Sequence, residues 1–95
     1  RIHYAVAAGF DHPVFHSQSK FNLVFANILA RPLVALAGKM LAHTKPGGYM
    51  ILSGLLTRQE KMVLLAYRIR GAKLVHRVRR GDWSALVLQK PYCGR

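Results

Sequence analysis

The run Phe21 to Leu29 (FNLVFANIL) constrains this chain more than any other segment. It is nearly continuous in apolar residues and rich in β-branched and aromatic side chains. A strand with one face in water would alternate apolar with polar; this one does not, so it reads as a strand covered on both faces, as in a parallel sheet. Asn27 is the one polar residue near its end. Pro32 then suits the first turn of a helix, where its missing N–H is not needed. Leu33, Leu36, Ala37, Met40 and Leu41 recur at helical spacing. That helix is expected to end near Thr44, because Pro46-Gly47-Gly48 stops it.

The same logic extends outward. Arg1 to Gly9 (RIHYAVAAG) reads as a short strand, and Phe10 to Lys20, with Pro13 and a polar cluster, as a loop. Tyr49 to Leu56 (YMILSGLL) reads as a second buried strand, with Gly54 allowing close backbone access at its end. Thr57-Arg-Gln-Glu60 has the form of a capping box. It opens a helix whose expected buried stripe is Met62, Leu65, Ala66 and Ile69, with Gly71 as its left-handed terminus. Lys73 to Arg79 and Trp83 to Gln89 read as an antiparallel pair about a Gly81-Asp82 turn. Strands alternating with helices imply right-handed crossovers and an α/β fold with a parallel sheet, closed by one antiparallel hairpin.

With 95 residues, the chain has room for one small domain. A 52% apolar content argues against disorder. No apolar run reaches the ~18 residues of a membrane helix, so no membrane span is expected. Opening on Arg1 rather than Met points to a fragment, a processed product or a truncated reading frame. Fifteen Lys and Arg against three acids give a net charge of +12. Such a balance suits a polyanion, with RNA first and a membrane surface second, and it equally suits a solvated basic face. Eight of the basic residues lie between Arg58 and Arg80, where Glu60 is the only acid. The sole cysteine, Cys93, cannot form an internal disulfide, which accords with a reducing cytoplasm.

Chemistry in an open α/β sheet belongs beyond the carboxyl ends of the strands. Asn27 to Ala30 and Ser53-Gly54 occupy such ends. Asn27 carries an amide donor and a carbonyl acceptor, so it can hold an amine, a carboxylate or a ribose oxygen; it can also simply cap the turn that follows. No metal site is expected. His12 and His16 are four apart, but Pro13 argues against a helix presenting both. No GxSxG elbow exists, and Gly47-Gly48 follows a helix rather than preceding one, the reverse of a phosphate cradle. Trp83 and Tyr67 read as packing residues.

Phe25-Ala-Asn-Ile-Leu-Ala-Arg-Pro-Leu33 resembles the Asn-Ile-Leu-Ala segment of the ribosomal protein L-eleven methyltransferases. Lys45-Pro-Gly-Gly48 is similar to the turn before the fifth strand of many class I methyltransferases. Leu52-Ser-Gly-Leu-Leu56, Gly81-Asp-Trp83 and Ala85-Leu-Val-Leu88 also resemble that family's C-terminal region. The resemblance implies a partial Rossmann-like class I methyltransferase sheet, with strands three to seven of the spatial order 3-2-1-4-5-7-6 and flanking helices. It further implies S-adenosylmethionine as cofactor, a large-subunit ribosomal protein as substrate, and a cofactor-contacting role for Asn27 near the methionine end. Nothing in the chain matches the family's glycine-rich loop, its ribose-holding acid or its N-terminal substrate domain. Residues 1–95 are therefore expected to form one C-terminal portion of a methyltransferase domain, which by itself binds the cofactor weakly or not at all. The first strand, lacking its usual neighbour, should fray or close directly onto the Phe21 strand. The sequence assigns no catalytic residue. Two other readings compete: a small basic RNA-binding module using the Arg58 to Arg80 region, and an inactive remnant of the family.

Overall fold

The computed structural model describes residues 4–7 and 20–92. Its elements run β1 (Tyr4–Ala7), β2 (Phe21–Asn27), α1 (Ala30–Ala35), α2 (Ala37–Ala42), β3 (Thr44–Leu56), a 3₁₀ turn (Thr57–Gln59), α3 (Glu60–Arg68), β4 (Lys73–Arg80) and β5 (Trp83–Gln89). The five strands form one sheet in the order β1-β2-β3-β5-β4. The first three are parallel; β5 is antiparallel to both β3 and β4. This is the α/β sheet with a closing antiparallel hairpin that the alternation of patterns implied.

β1 lies directly beside β2, with Tyr4 opposite Leu23 and Ala7 opposite Ala26. Of the two fates expected for the first strand, closure onto the Phe21 strand is the one adopted. The loop expected over Phe10 to Lys20 and the His12–His16 pair lie outside the described residues, apart from Lys20.

Val24 and Ala26 of β2, Met50 and Leu52 of β3, and Leu86 and Leu88 of β5 are buried against Leu33, Met40, Val63 and Tyr67 from the helices. Their strand neighbours on the opposite face, Leu23, Phe25, Ile51 and Val87, are only partly buried. The expectation of two covered faces thus holds for one face among the described residues. Successive right-handed crossovers that advance in one direction along a sheet deliver their helices to the same side.

Three local readings are corrected. The single helix expected after Pro32 is two short ones, joined at Leu36 (φ −86°, ψ −3°). Its expected apolar stripe is nonetheless buried throughout. Pro46-Gly47-Gly48 stands inside an extended segment rather than ahead of it. Gly47 (φ +78°) accepts the bulged geometry, and its N–H donates to the Lys90 carbonyl at 3.0 Å. Only the reciprocal half of a capping box forms, and it sits one residue earlier than expected, because Leu56 at the cap has no side-chain acceptor. Gln59 Oε1 accepts the Leu56 N–H at 2.9 Å, while the Thr57 hydroxyl pairs with Ser84 Oγ at 3.1 Å and Glu60 turns inward.

The largest correction concerns α3. Its buried residues are Glu60, Val63, Leu64, Ala66 and Tyr67, whereas Met62, Leu65 and Ile69 are 42%, 63% and 70% exposed. Only Ala66 of the expected stripe is in the core. A one-residue change of stripe rotates the buried face by about 100°. The segment is apolar at too many positions for spacing alone to choose. Two polar anchors decide it: the Tyr67 hydroxyl donates to the Leu33 carbonyl at 2.9 Å, and Glu60 meets the hairpin.

Candidate functional site

β2 and β3 end side by side, with Asn27 opposite Ser53. The Ile28 N–H donates to the Ser53 carbonyl at 3.2 Å, which carries the pairing just past the strand end. Gly54 follows with φ +88°. A Cβ there would stand 2.8 Å from Asn27 Oδ1 and 2.9 Å from the Ile28 carbonyl oxygen. Glycine is therefore required twice over: for the left-handed backbone, and for the close approach of the Asn27 amide. Asn27 itself is exposed at the carboxyl edge, where its reading as a ligand-holding residue placed it.

The β4–β5 hairpin completes a cleft of about 250 Å³ around this edge. Asn27, Ser53 and Gly54 line it from β2 and β3; Val78, Arg80, Trp83, Ser84 and Ala85 line it from the hairpin. Arg80 and Trp83 are register partners at the hairpin end. Trp83 is 55% exposed, so it does not pack as expected. Together with Gly54 it also borders a neighbouring hollow of about 440 Å³ lined by Leu29, Pro32, Leu56 and Gln59. The indole is thus a partition between two depressions at the start of α1. A signal for this was present in the sequence. Ser84, Leu86 and Leu88 alternate inward along β5, so Trp83 must face the other way.

Behind the hairpin lies a buried carboxylate. Glu60 is 3% exposed. It accepts from Arg77 Nε at 2.8 Å, from Arg79 Nε at 2.9 Å and Nη2 at 3.0 Å, and from the Ser84 hydroxyl. The Arg79 hydrogen bonds, with further help from Ser84, the Arg79 charge and Arg77, hold its pKa down to about 2 against the opposing effect of burial. Two of the eight clustered cations are therefore paired with an internal carboxylate, and a third, Arg70, donates to the Ala66 carbonyl at 2.9 Å. Tyr67 is a fully buried core residue, as expected, and burial pushes its phenol well above the ordinary range. Among the described residues, no group of three or more His, Cys, Asp or Glu could hold a metal ion. No helix among the described residues is long and apolar enough to cross a membrane.

Residues 3–91 match the family model described as ribosomal protein L11 methyltransferase (PrmA). The chain belongs to this family. Curated family members include a ribosomal protein L11 methyltransferase of Caulobacter sp. (strain K31), 52% identical over 85 residues, and one of Chelativorans sp. (strain BNC1), 40% identical over 89 residues. These alignments cover 90% and 94% of this chain but only 30% and 31% of the relatives, so the chain spans about a third of their length. Among solved structures, the ribosomal protein L11 methylase of Lactobacillus delbrueckii subsp. bulgaricus superposes with a TM-score of 0.73 at 29% identity, over 77% of this chain and 38% of that one. A 16S rRNA N2 G1207 methyltransferase of T. thermophilus, in complex with AdoMet and guanosine, shares the fold at a TM-score of 0.58 and 15% identity, over 82% of this chain and 22% of that one. Class I methyltransferases are therefore the structural neighbours of the family's sheet as it is built here.

Proposed function

We propose that this chain is the C-terminal portion of an S-adenosylmethionine-dependent protein N-methyltransferase acting on a large-subunit ribosomal protein, and that the cleft beside Asn27 is where the target amine meets the methyl donor. The observation that carries this reading is the approach of Gly54 to Asn27. The amide is held at the shared carboxyl edge of two parallel strands, where such sheets bind ligands. Asn27, Ser53 and Gly54 suit one side of the donor's site: short polar groups on an open edge. The glycine-loop half and the substrate-binding domain would be supplied by the rest of a full-length enzyme. S-adenosylmethionine, when bound, supplies a methyl group on a sulfonium.

This chain's residues would then act on the incoming amine. The Asn27 carbonyl accepts an N–H and turns the nitrogen lone pair toward the donor, which is orientation rather than base catalysis. The Arg80 guanidinium disfavours a second cation beside it and so lowers the amine's pKa toward the neutral, nucleophilic form. The Trp83 indole offers an apolar wall to the methylene stem and to the methyl groups already added. A reaction on a ribosomal protein would take place in the cytoplasm.

Two measurements test this. Calorimetric titration of the 95-residue chain with S-adenosylmethionine should show weak binding or none; a micromolar Kd would contradict the division of the site between this chain and its missing half. Fused behind the upstream two-thirds of the Caulobacter relative, the chain should transfer labelled methyl groups to the ribosomal protein, and Asn27→Ala should lower kcat. An active fusion indifferent to Asn27→Ala would remove Asn27 from the site.

A second, subsidiary reading is a contact with ribosomal RNA through the basic face. β4 is exposed along nearly its whole length and carries Lys73, Arg77, Arg79 and Arg80. RNA affinity falling steeply with salt would support it; affinity flat from 50 to 200 mM salt would remove it. An inactive remnant remains the alternative outcome if the fusion transfers nothing.

A further inference from the structure

The cleft depends on which way the hairpin faces. β4 has no fully buried side chain; only Leu74 is even partly covered. A register irregularity between Leu74 and His76 separates that residue from the distal half of the strand. Strands without a buried face specify register weakly, and a slip of one residue sends every side chain to the opposite side. Hydrophobic burial therefore does little to decide whether Arg80 and Val78, or Arg79 and Arg77, face the cleft.

Glu60 makes that choice. Arg77 and Arg79 are two apart and so share one face of β4. Ser84 is the register partner of Arg79 on β5. All three donate to the same carboxylate. Because Ser84 donates to Glu60, the Thr57 hydroxyl donates to Ser84 Oγ, which extends the chain of bonds to the end of β3. The Thr57 N–H also holds the Asp82 carbonyl at 2.7 Å, at the hairpin turn. The neighbouring register pair, Arg80 and Trp83, necessarily points the other way, into the cleft.

We infer that Glu60 is a positioning residue for the cleft: by clasping Arg77, Arg79 and Ser84 on the helix side of the hairpin, it keeps Arg80 on the side of Asn27, against the Trp83 that the buried alternation of β5 already faces there. Its relevance to methyl transfer rests on the reading of the cleft given above, but the clasp itself does not. A buried ion group adds little net stability compared with apolar packing of the same volume, and its best-attested use is to select one register.

Trp83 is the only tryptophan, so its indole N–H gives one cross-peak in a ¹H–¹⁵N spectrum and reports on the hairpin directly. Glu60→Leu should split or broaden that peak and shift the indole emission maximum. Arg79→Ala, at a half-exposed position, removes two of the clasp's hydrogen bonds without disturbing the core and should do the same; it decides the matter if Glu60→Leu does not fold. Val63→Ala, a core truncation on the same helix, should lower stability yet leave one indole peak in place. If the folded clasp variants keep a single unshifted peak, or if Val63→Ala splits it equally, Glu60 is not a positioning residue. Titration of the unaltered chain with Nε-acetyl-lysine amide, an uncharged lysine analogue that keeps an N–H at the end of the same methylene stem, gives a separate answer. A shift of the indole peak supports the amine-binding reading of the cleft; no shift removes that reading and leaves the clasp to be judged on the variants alone.

Discussion

The Tyr67 hydroxyl donates to the Leu33 carbonyl across 2.9 Å of core, tying α3 to α1 through a residue with no solvent exposure. Tyr67→Phe keeps the ring and removes only this bond. The carbonyl loses a buried partner, so stability should fall by about 1–2 kcal/mol. Urea denaturation checks it: the midpoint should drop with an unchanged slope. A midpoint equal to the parent's would mean that the bond contributes nothing.

The rotated face of α3 makes a paired prediction. Val63 is fully buried and Leu65 is 63% exposed. Val63→Ala should cost about 2 kcal/mol through lost burial and a cavity, and Leu65→Ala less than about 0.5 kcal/mol. The opposite order in thermal melts would restore the stripe that spacing alone suggested.

Gly54→Ala should be worse than either position's exposure suggests. The new Cβ meets Asn27 Oδ1 and the Ile28 carbonyl, and φ +88° is strained for alanine. A cost of about 1–3 kcal/mol is expected from the backbone alone. The Asn27 side-chain amide resonances should move with it; if they stay in place, the close approach is not what positions that amide.

Glu60 sets an acid limit. Its pKa falls from 4.5 to about 2 on folding, so the unfolded chain takes up a proton first as pH drops. The stabilisation is complete above pH 4.5 and is lost as pH falls from there toward 2. Glu60→Gln should flatten the pH dependence of the melting temperature within that window. An equally steep dependence in the variant would assign the acid sensitivity to other groups.

These predictions also mark where sequence patterns were informative. The run from Phe21 to Asn27 announced a strand through apolar character broken only at Asn22, and Asn27 stood out as the polar residue at its ligand-bearing edge. Leu33 to Leu41 announced buried helix although most of its residues are apolar, because Gly38 and Lys39 fall outside the stripe of Leu33, Leu36, Ala37, Met40 and Leu41. In α3, where Met62 to Ala66 are all apolar, the buried side was chosen by Tyr67 and Glu60 through partners 34 and 17 to 24 residues distant in sequence. Trp83 was misjudged for a related reason. Residue type favoured packing, whereas alternation along β5 required it to face the cleft.

The pairing of β1 with β2 has a kinetic consequence. Four residues, Tyr4 to Ala7, hold the edge of β2. In the family's strand order, as the resemblance implies it, that edge belongs to strands encoded upstream. β1 is then a placeholder, and adding the upstream half in trans becomes a strand-exchange reaction rather than simple docking. Its rate should reach a ceiling set by the opening of the β1–β2 ladder and stop rising with the concentration of the added half. Truncation of residues 1–7 should lift that ceiling.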